Sequence, residues 1–257
     1  MRQSVTNQGG TTGIEVHQFS VQYPDFSMTP LSLTVSPGER VALVGPNGSG
    51  KTTLLKALGG RLPAYTGRVQ VDGRDIKDQI PDIRQRIGFL PEDLLGYGWM
   101  TVGEHLRLLS RFFDAWSDRT SQELCELLEL STKAKLGTLS KGMKVKLSFV
   151  AAEAYAPPYL LLDEPTSGLD PLMRRKLMDV ILERVRGSDR IAFFSTHLLE
   201  DVEWIATRVL VLNDGRLITD AAVDDLLRRW SDKSLSEILY ATLDNDESKT
   251  LRRADSD

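Results

Sequence analysis

GPNGSGKT, residues 45–52, is the segment that decides the fold of this 257-residue chain. It matches a glycine, four variable residues and then Gly-Lys-Thr, the pattern of a phosphate-binding loop. Its glycines let the backbone turn sharply and bring amide groups against phosphate oxygens. The apolar run at 41–44 predicts the strand before the loop, and a helix beginning near Lys51 adds the positive end of its dipole. An incidental glycine-rich turn would require neither a strand before it nor a helix after it.

Two side chains of this loop carry chemistry. Lys51 can reach the β- and γ-phosphates of a nucleotide as a movable point charge, and Thr52 offers a hydroxyl to Mg²⁺. We therefore predict ATP and Mg²⁺ as ligands. The nucleotide-binding residues predicted here are Gly45, Pro46, Asn47, Gly48, Ser49, Gly50, Lys51, Thr52 and Thr53.

Two acids follow a second apolar run. The segment YLLL at 159–162 is typical of a strand buried on both faces, and Asp163 and Glu164 come directly after it. Asp163 is suited to hold Mg²⁺ through water, and Glu164 can polarise the attacking water. Alone, such a pair can be a strand end that meets solvent. The phosphate-binding loop favours the catalytic interpretation.

The segment LSKGM at 139–143 precedes a predicted helix. In the simplest interpretation Ser140 is the N-cap of that helix, although its hydroxyl and the nearby amides can also bind phosphate. The segment resembles the signature motif of ABC-type ATPases, whose commonest form is LSGGQ. It lies about twenty residues before the two acids, where that family has it.

Further motifs of that family follow in order. SGLD at 167–170 is similar to its D-loop, and STH at 195–197 is similar to its switch segment, which ends on a histidine. Tyr23 fits the aromatic residue on which adenine stacks, with Phe26 as a neighbouring candidate. Without the motif, His197 would be interpreted as a structural histidine. The resemblance runs over about 14–220.

One position departs from the family pattern. Glu92 stands where the family usually has a glutamine that contacts Mg²⁺ or the attacking water. A carboxylate can coordinate Mg²⁺, but it cannot donate a hydrogen bond when ionised. The metal ligands expected from the resemblance are therefore Thr52, Glu92 and Asp163.

The resemblance also implies partners. It predicts a head-to-tail dimer, homomeric or heteromeric, that encloses two ATP molecules and docks on separate membrane permease subunits. Lys51, Glu164 and His197 would be the catalytic residues of each site, and Ser140 and Gly142 would come from the other chain. The docking surface is expected near 92–99, where the apolar residues are Leu94, Leu95, Tyr97 and Trp99; packing inside the chain is the alternative for them.

Composition limits the remaining possibilities. The net charge is −4, which argues against general nucleic-acid binding. One cysteine, Cys125, cannot form an internal disulfide and suits a reducing compartment. No apolar run approaches the roughly 20 residues of a membrane span, and residues 1–13 do not resemble a signal peptide. We expect a peripheral protein on the cytoplasmic side of the cell membrane.

The predicted fold is α/β: a P-loop NTPase (RecA-like) core with an antiparallel β subdomain and an inserted α-helical subdomain. The predicted divisions are a flexible N-terminus at 1–13, the ATP-binding core at 14–91 and 163–230, the helical signature subdomain at 92–162, and a C-terminal tail at 231–257, disordered beyond Asp244. Capping boxes are predicted at Thr101 with Glu104 and at Thr120 with Glu123.

The function predicted is the ATP-hydrolysing subunit of an ABC transporter, with LSKGM, the Glu92 loop and the segment at 234–239 closer to bacterial exporters. A soluble ATPase of the same family with a scaffold or regulatory role is the first alternative. A nucleotide-dependent binding module is the second, and Glu164 and His197 argue against it. A phosphate-loop kinase is the third, and LSKGM argues against it.

Overall fold

The computed structural model describes residues 12–78, 80–91, 94 and 96–254. Its strands form two sheets. The first is antiparallel, with the order β2-β1-β4-β5. Apolar side chains alternate along its long strands, so that one face is buried and the other meets solvent. These strands are β1 (Ile14–Tyr23), β2 (Phe26–Val35), β4 (Thr66–Val71) and the short β5 (Arg74–Asp75).

The second sheet has the order β10-β9-β3-β8-β7-β6 and is parallel except for the edge strand β10. Its central strands are apolar at consecutive positions, because both faces are covered. Its strands are β3 (Arg40–Val44), β6 (Ile87–Leu90), β7 (Tyr159–Leu162), β8 (Ile191–Thr196), β9 (Arg208–Asn213) and β10 (Arg216–Ala222).

Nine α-helices are described, together with one 3-10 turn at Leu136–Thr138. None of the helices in the described part of the chain is both long and apolar enough to cross a membrane. Their ranges are α1 (Lys51–Leu58), α2 (Ile80–Arg84), α3 (Val102–Leu109), α4 (Asp118–Leu127), α5 (Lys141–Glu153), α6 (Pro171–Val185), α7 (Leu199–Ile205), α8 (Val223–Arg229) and α9 (Leu235–Ala254).

The core lies on both faces of the parallel sheet. Alternate residues of a strand point to opposite faces, so Val41 and Leu43 of β3 pack with α1 and the antiparallel sheet. Ala42 and Val44 pack instead with residues of α5, α6 and α7. This double covering leaves the ends of the strands as the place where polar side chains can meet a ligand.

Four expectations about local structure are corrected. The antiparallel prediction over 14–44 holds for β1 and β2, but β3 is a central parallel strand. The range 92–162 given to the helical subdomain includes β7, which is in the core sheet. Ser117, not Thr120, caps α4, because its hydroxyl accepts the Thr120 amide. The capping box of Thr101 and Glu104 on α3 is confirmed.

The fourth correction concerns the tail. The segment after Asp244 was expected to be disordered, whereas α9 continues to Ala254. Glu, Lys, Leu and Arg in this segment are good helix formers, and its acids precede its basic residues, as the helix dipole favours. A polar composition is therefore compatible with a helix here.

Candidate functional site

The three predicted motifs meet at one edge of the parallel sheet. Strands β7, β8 and β3 are neighbours, and Leu162 pairs with Phe194 while Val44 pairs with Thr196. Strands β3 and β8 therefore end at the same level, and β7 ends two residues earlier beside β8. The phosphate-binding loop, the acids after β7 and His197 after β8 leave the sheet side by side.

The loop needs glycine at two positions for steric reasons. A Cβ on Gly45 would lie 2.1 Å from the Leu212 carbonyl oxygen, because the loop passes directly over the end of β9. Gly50 has φ of 106° immediately before α1, a conformation that L side chains rarely adopt. This geometry directs the loop amides and the start of α1 toward one space.

Lys51 lies at the centre of the loop. Its Nζ donates hydrogen bonds to the carbonyl oxygens of Gly45, at 2.8 Å, and Pro46, at 3.0 Å. The same atom lies 3.9 Å from Oε1 of Glu164, and the side chain is only 6% exposed. A positive charge is thus held where the phosphates of a nucleotide would lie.

Lys51→Ala is expected to weaken ATP binding by about 10- to 100-fold, the usual range for a lost hydrogen bond to a charged group. Calorimetric titration with ATP measures this. Lys56→Ala is the matched control, since Lys56 is exposed at the end of the same helix and should bind ATP normally. Equal affinities of parent and Lys51→Ala would contradict the assignment of the loop.

Asp163 has one oxygen in use and one without a partner. Its Oδ1 accepts a hydrogen bond from Ser195 Oγ at 2.7 Å. Its Oδ2 is buried, and no described residue donates a hydrogen bond to it. A buried oxygen of this kind is costly unless a ligand occupies it.

The orphaned oxygen fits Mg²⁺. This ion usually binds through one or two carboxylates together with substrate phosphates and water. The described residues contain no group of three or more His, Cys, Asp or Glu placed to hold a metal ion. Asp163 and the Thr52 hydroxyl at the start of α1 are the residues here that would hold it. Glu92, the third predicted ligand, lies outside the described residues.

Glu164 lies between two nitrogen groups. Its Oε2 is 2.8 Å from Nδ1 of His197, and its Oε1 faces Lys51. Its backbone φ is 50°, a left-handed conformation that is strained for a residue with a side chain. The carboxylate is thereby held at the edge of the loop rather than turned into solvent.

A cavity of about 570 Å³ opens in front of these groups, a suitable size for a small-molecule ligand. Four residues line it in addition to the predicted ones: Asp25, Phe26, Lys141 and Ser167. Asp163 is not among the residues that line it. The predicted residues that line it are Asn47, Gly48, Gly50, Lys51, Thr52, Thr53, Glu164 and His197.

Two aromatic rings, Tyr23 and Phe26, are candidates for the adenine contact, and they lie at different distances from the cavity. Tyr23 stacks on Phe26 with the ring centroids 6.5 Å apart, and Phe26 is the ring that lines the cavity. Tyr23 lies one ring further out and is 40% exposed. The neighbouring candidate, Phe26, is therefore the nearer of the two to the loop.

Of the signature segment at 139–143, only Lys141 lines the nucleotide-sized cavity of the same chain. Ser140 is exposed at the start of α5, and its Oγ accepts the Met143 amide at 3.2 Å. Gly142 packs on the D-loop instead, where an added Cβ would lie 2.6 Å from the Gly168 carbonyl oxygen. Neither Ser140 nor Gly142 is among the described residues that line the cavity.

A larger cavity of about 1070 Å³ lies between α3 and α4, away from the strand ends. Cys125 is part of its wall and is buried. Burial raises the pKa of the Cys125 thiol to about 11, so the thiol is protonated at neutral pH and is a poor nucleophile.

Ser195 is the contact that sequence reasoning missed. The sequence marks it only as part of STH, yet its hydroxyl bonds both acids: it donates to Asp163 Oδ1 and accepts the Glu164 amide hydrogen at 2.8 Å. The one available signal was its position, second to last in a buried strand. That signal becomes meaningful only when the register with β7 is known.

Comparison with known proteins gives one consistent result. The ABC transporter family model matches residues 28–167, more than half of the chain. An uncharacterized ABC transporter ATP-binding protein of Nostoc sp. is 36% identical over 208 residues, which cover 78% of this chain and 61% of that protein. The chain thus spans about three fifths of the length of this relative.

One further relative and one solved structure are similar to this chain over most of its length. The Nod factor export ATP-binding protein I of Burkholderia pseudomallei is 35% identical over 216 residues, 81% of this chain and 70% of that protein. A solved ATP-binding subunit of an ABC transporter superposes with a TM-score of 0.79 at 29% identity, over 90% of this chain and 99% of that one.

The fold is thus the predicted P-loop NTPase core with an antiparallel sheet and inserted helices. Its loop, acids and histidine meet at the strand ends. The extent of the family match, together with these relatives, shows that the chain belongs to the ABC transporter family.

Proposed function

We propose that this chain hydrolyses Mg-ATP and thereby powers substrate translocation by separate membrane permease subunits. The observation that carries the proposal is the Glu164 carboxylate, held between Lys51 and His197 at the mouth of the phosphate-binding loop. The relative named for Nod factor export and the LSKGM segment support export as the direction. The protein would then act at the cytoplasmic side of the membrane.

Each residue has a defined task in this proposal. The loop amides and Lys51 bind the β- and γ-phosphates. Asp163 Oδ2 and the Thr52 hydroxyl would hold Mg²⁺, which when bound neutralises charge that develops on the phosphates. Glu164 orients the attacking water and accepts its proton, and the His197 contact fixes the direction of that carboxylate.

We also propose that the site is completed by a second ATP-binding chain. The loop side of the cavity belongs to this chain, while Ser140 and Gly142 face elsewhere. The start of α5 offers an exposed hydroxyl and the positive end of a helix dipole, which suit a phosphate bound on another chain. A head-to-tail dimer would place each signature segment over the other loop.

An exposed aromatic pair supports docking on a membrane partner. Tyr97 and Trp99 are 63% and 70% exposed, and their rings stack with centroids 5.7 Å apart. Large apolar side chains in such a patch are typical of a partner contact. Leu94 packs partly against the core, as the alternative predicted, and Leu95 lies outside the described residues.

Changing Tyr97 and Trp99 together to alanine is expected to detach the chain from its permease. The test is affinity purification from gently solubilised native membranes, followed by identification of the copurifying multi-span protein. The isolated variant should keep its ATP turnover, because neither ring lines the cavity.

Phe112→Ala is the control for this experiment, since Phe112 is also 63% exposed but lies after α3. It should retain the membrane protein. Equal recovery of that protein with the double variant would exclude the aromatic pair as the contact. A parent chain found only in the soluble fraction, with no membrane protein, would favour the scaffold or regulatory alternative.

A further inference from the structure

Ser195 lies at the end of β8, next to the end of β7, which the two acids follow. It is fully buried and is the second-to-last residue of β8. Since Leu162 of β7 pairs with Phe194, the next residues along the two strands, Asp163 and Ser195, lie side by side. This proximity is set by the strand register rather than by the local sequence.

The Ser195 hydroxyl selects one oxygen of Asp163. It donates to Oδ1 at 2.7 Å, while Oδ2 has no donor among the described residues. The terminal torsion of an aspartate is broad, so a carboxylate without this bond can rotate. With the bond present, one oxygen is occupied and the other is left for a cation.

The same hydroxyl also holds the backbone of Glu164. It accepts the Glu164 amide hydrogen at 2.8 Å, and the Glu164 carbonyl accepts the Ser167 amide at 3.0 Å. These bonds hold the residue at its strained φ of 50°. Release of the amide would let Glu164 relax and turn its carboxylate away from Lys51 and His197.

We propose that Ser195 is a positioning residue for both acids of this site. Its hydroxyl leaves Asp163 Oδ2 available to Mg²⁺ and holds Glu164 in its working conformation. A single hydroxyl performs both tasks because it can donate one hydrogen bond and accept another at once. The inference rests on the proposed ATPase function and adds a residue to it.

The test compares Ser195→Ala with Ser195→Thr, which keeps a hydroxyl. The first readout is Mn²⁺ affinity, measured by electron paramagnetic resonance in the presence of a non-hydrolysable ATP analogue. Ser195→Ala should bind Mn²⁺ about 10-fold more weakly and lose kcat by about 10- to 100-fold, the range expected for hydrogen bonds to charged groups. Its KM for ATP should change little, because the phosphate-binding loop is intact.

Controls separate positioning from folding. Ser148→Ala removes a buried hydroxyl from α5, away from the acids, and should keep the parent Mn²⁺ affinity and kcat. Thermal unfolding without metal reports the stability of each variant. Recovery of Mn²⁺ affinity and kcat in Ser195→Thr would support the proposal.

Parent values of Mn²⁺ affinity and kcat in a folded Ser195→Ala variant would overturn the proposal. The Mn²⁺ measurement does not require turnover. An inactive parent chain whose Mn²⁺ affinity still depends on Ser195 would therefore contradict the ATPase proposal while supporting the role of Ser195 toward the metal.

Discussion

Glu164→Gln is expected to lower kcat for ATP hydrolysis by about 10²- to 10⁴-fold, the usual contribution of a general base. The amide has nearly the same shape as the carboxylate, so the loop and the fold should be unchanged. It cannot accept a proton from water at neutral pH, however. Steady-state phosphate release measures the loss.

ATP binding should survive in this variant and become somewhat tighter. Glu164 Oε1 lies 3.9 Å from Lys51 Nζ, at the position where the nucleotide phosphates bring further negative charge. Removal of the carboxylate charge lowers that repulsion. Calorimetry measures the affinity, and size-exclusion chromatography with ATP should show more dimer than the parent chain forms.

Glu183→Gln serves as the control, since Glu183 is exposed on α6 and does not line the cavity. It should hydrolyse ATP at the parent rate. A Glu164→Gln chain that turns over ATP as fast as Glu183→Gln would show that another group activates the water.

The local parts of the site could be predicted from sequence because their geometry is encoded over a few residues. The glycines of the loop predict a sharp turn, and an apolar strand before it and a helix after it complete the unit. Asp170 is likewise the N-cap of α6 and Pro171 is its first residue, so this helix start depends on two adjacent residues. Each of these signals acts within one turn of the chain.

The parts that could not be predicted depend on contacts between distant segments. The five residues of β3 fit a parallel or an antiparallel sheet equally well. Its parallel pairing with β8 and β9 therefore cannot be predicted from its sequence. The bonds from Ser195 to the acids join residues about thirty positions apart and follow from the register of β7 and β8. Periodicity and spacing carry no information on such a register.

The order of the two aromatic rings is a third example. Tyr23 ends β1 and Phe26 begins β2, so both are near the turn between these strands. The sequence favours Tyr23, but Phe26 lies only three residues away at the same turn. Only the packing of β2 against the loop, where Phe26 and Met28 lie beside Gly50, brings one of them to the cavity.

Ser140→Arg is expected to abolish ATP turnover, by about 10²-fold or more, while a single chain still binds ATP. Ser140 is exposed and is absent from the wall of its own cavity, so an arginine there leaves the loop undisturbed. In the proposed dimer the same side chain would meet the phosphates on the other chain. Bulk at that position would displace those phosphates from that one site, and the contacts that stabilise the transition state there would be lost.

Ser140→Ala is the matched control for the fold. It removes the same N-cap bond to the Met143 amide, at a cost of about 1 kcal/mol in stability, but adds no bulk. Thermal unfolding should therefore show similar losses for both variants. Their ATPase rates should differ, because only Ser140→Arg places a bulky side chain in the site on the other chain.

The decisive measurement mixes Ser140→Arg chains with Lys51→Ala chains. Neither variant can form a complete site with itself, but a mixed dimer has one complete site, built from the loop of the first and the signature segment of the second. Random pairing at equal amounts would restore about a quarter of the parent rate, since half of the dimers are mixed and each has one of two sites. Rates that stay at the sum of the separate variants would contradict a site shared between two copies of this chain. A Ser140→Arg chain with the parent rate would show that the signature segment takes no part in hydrolysis.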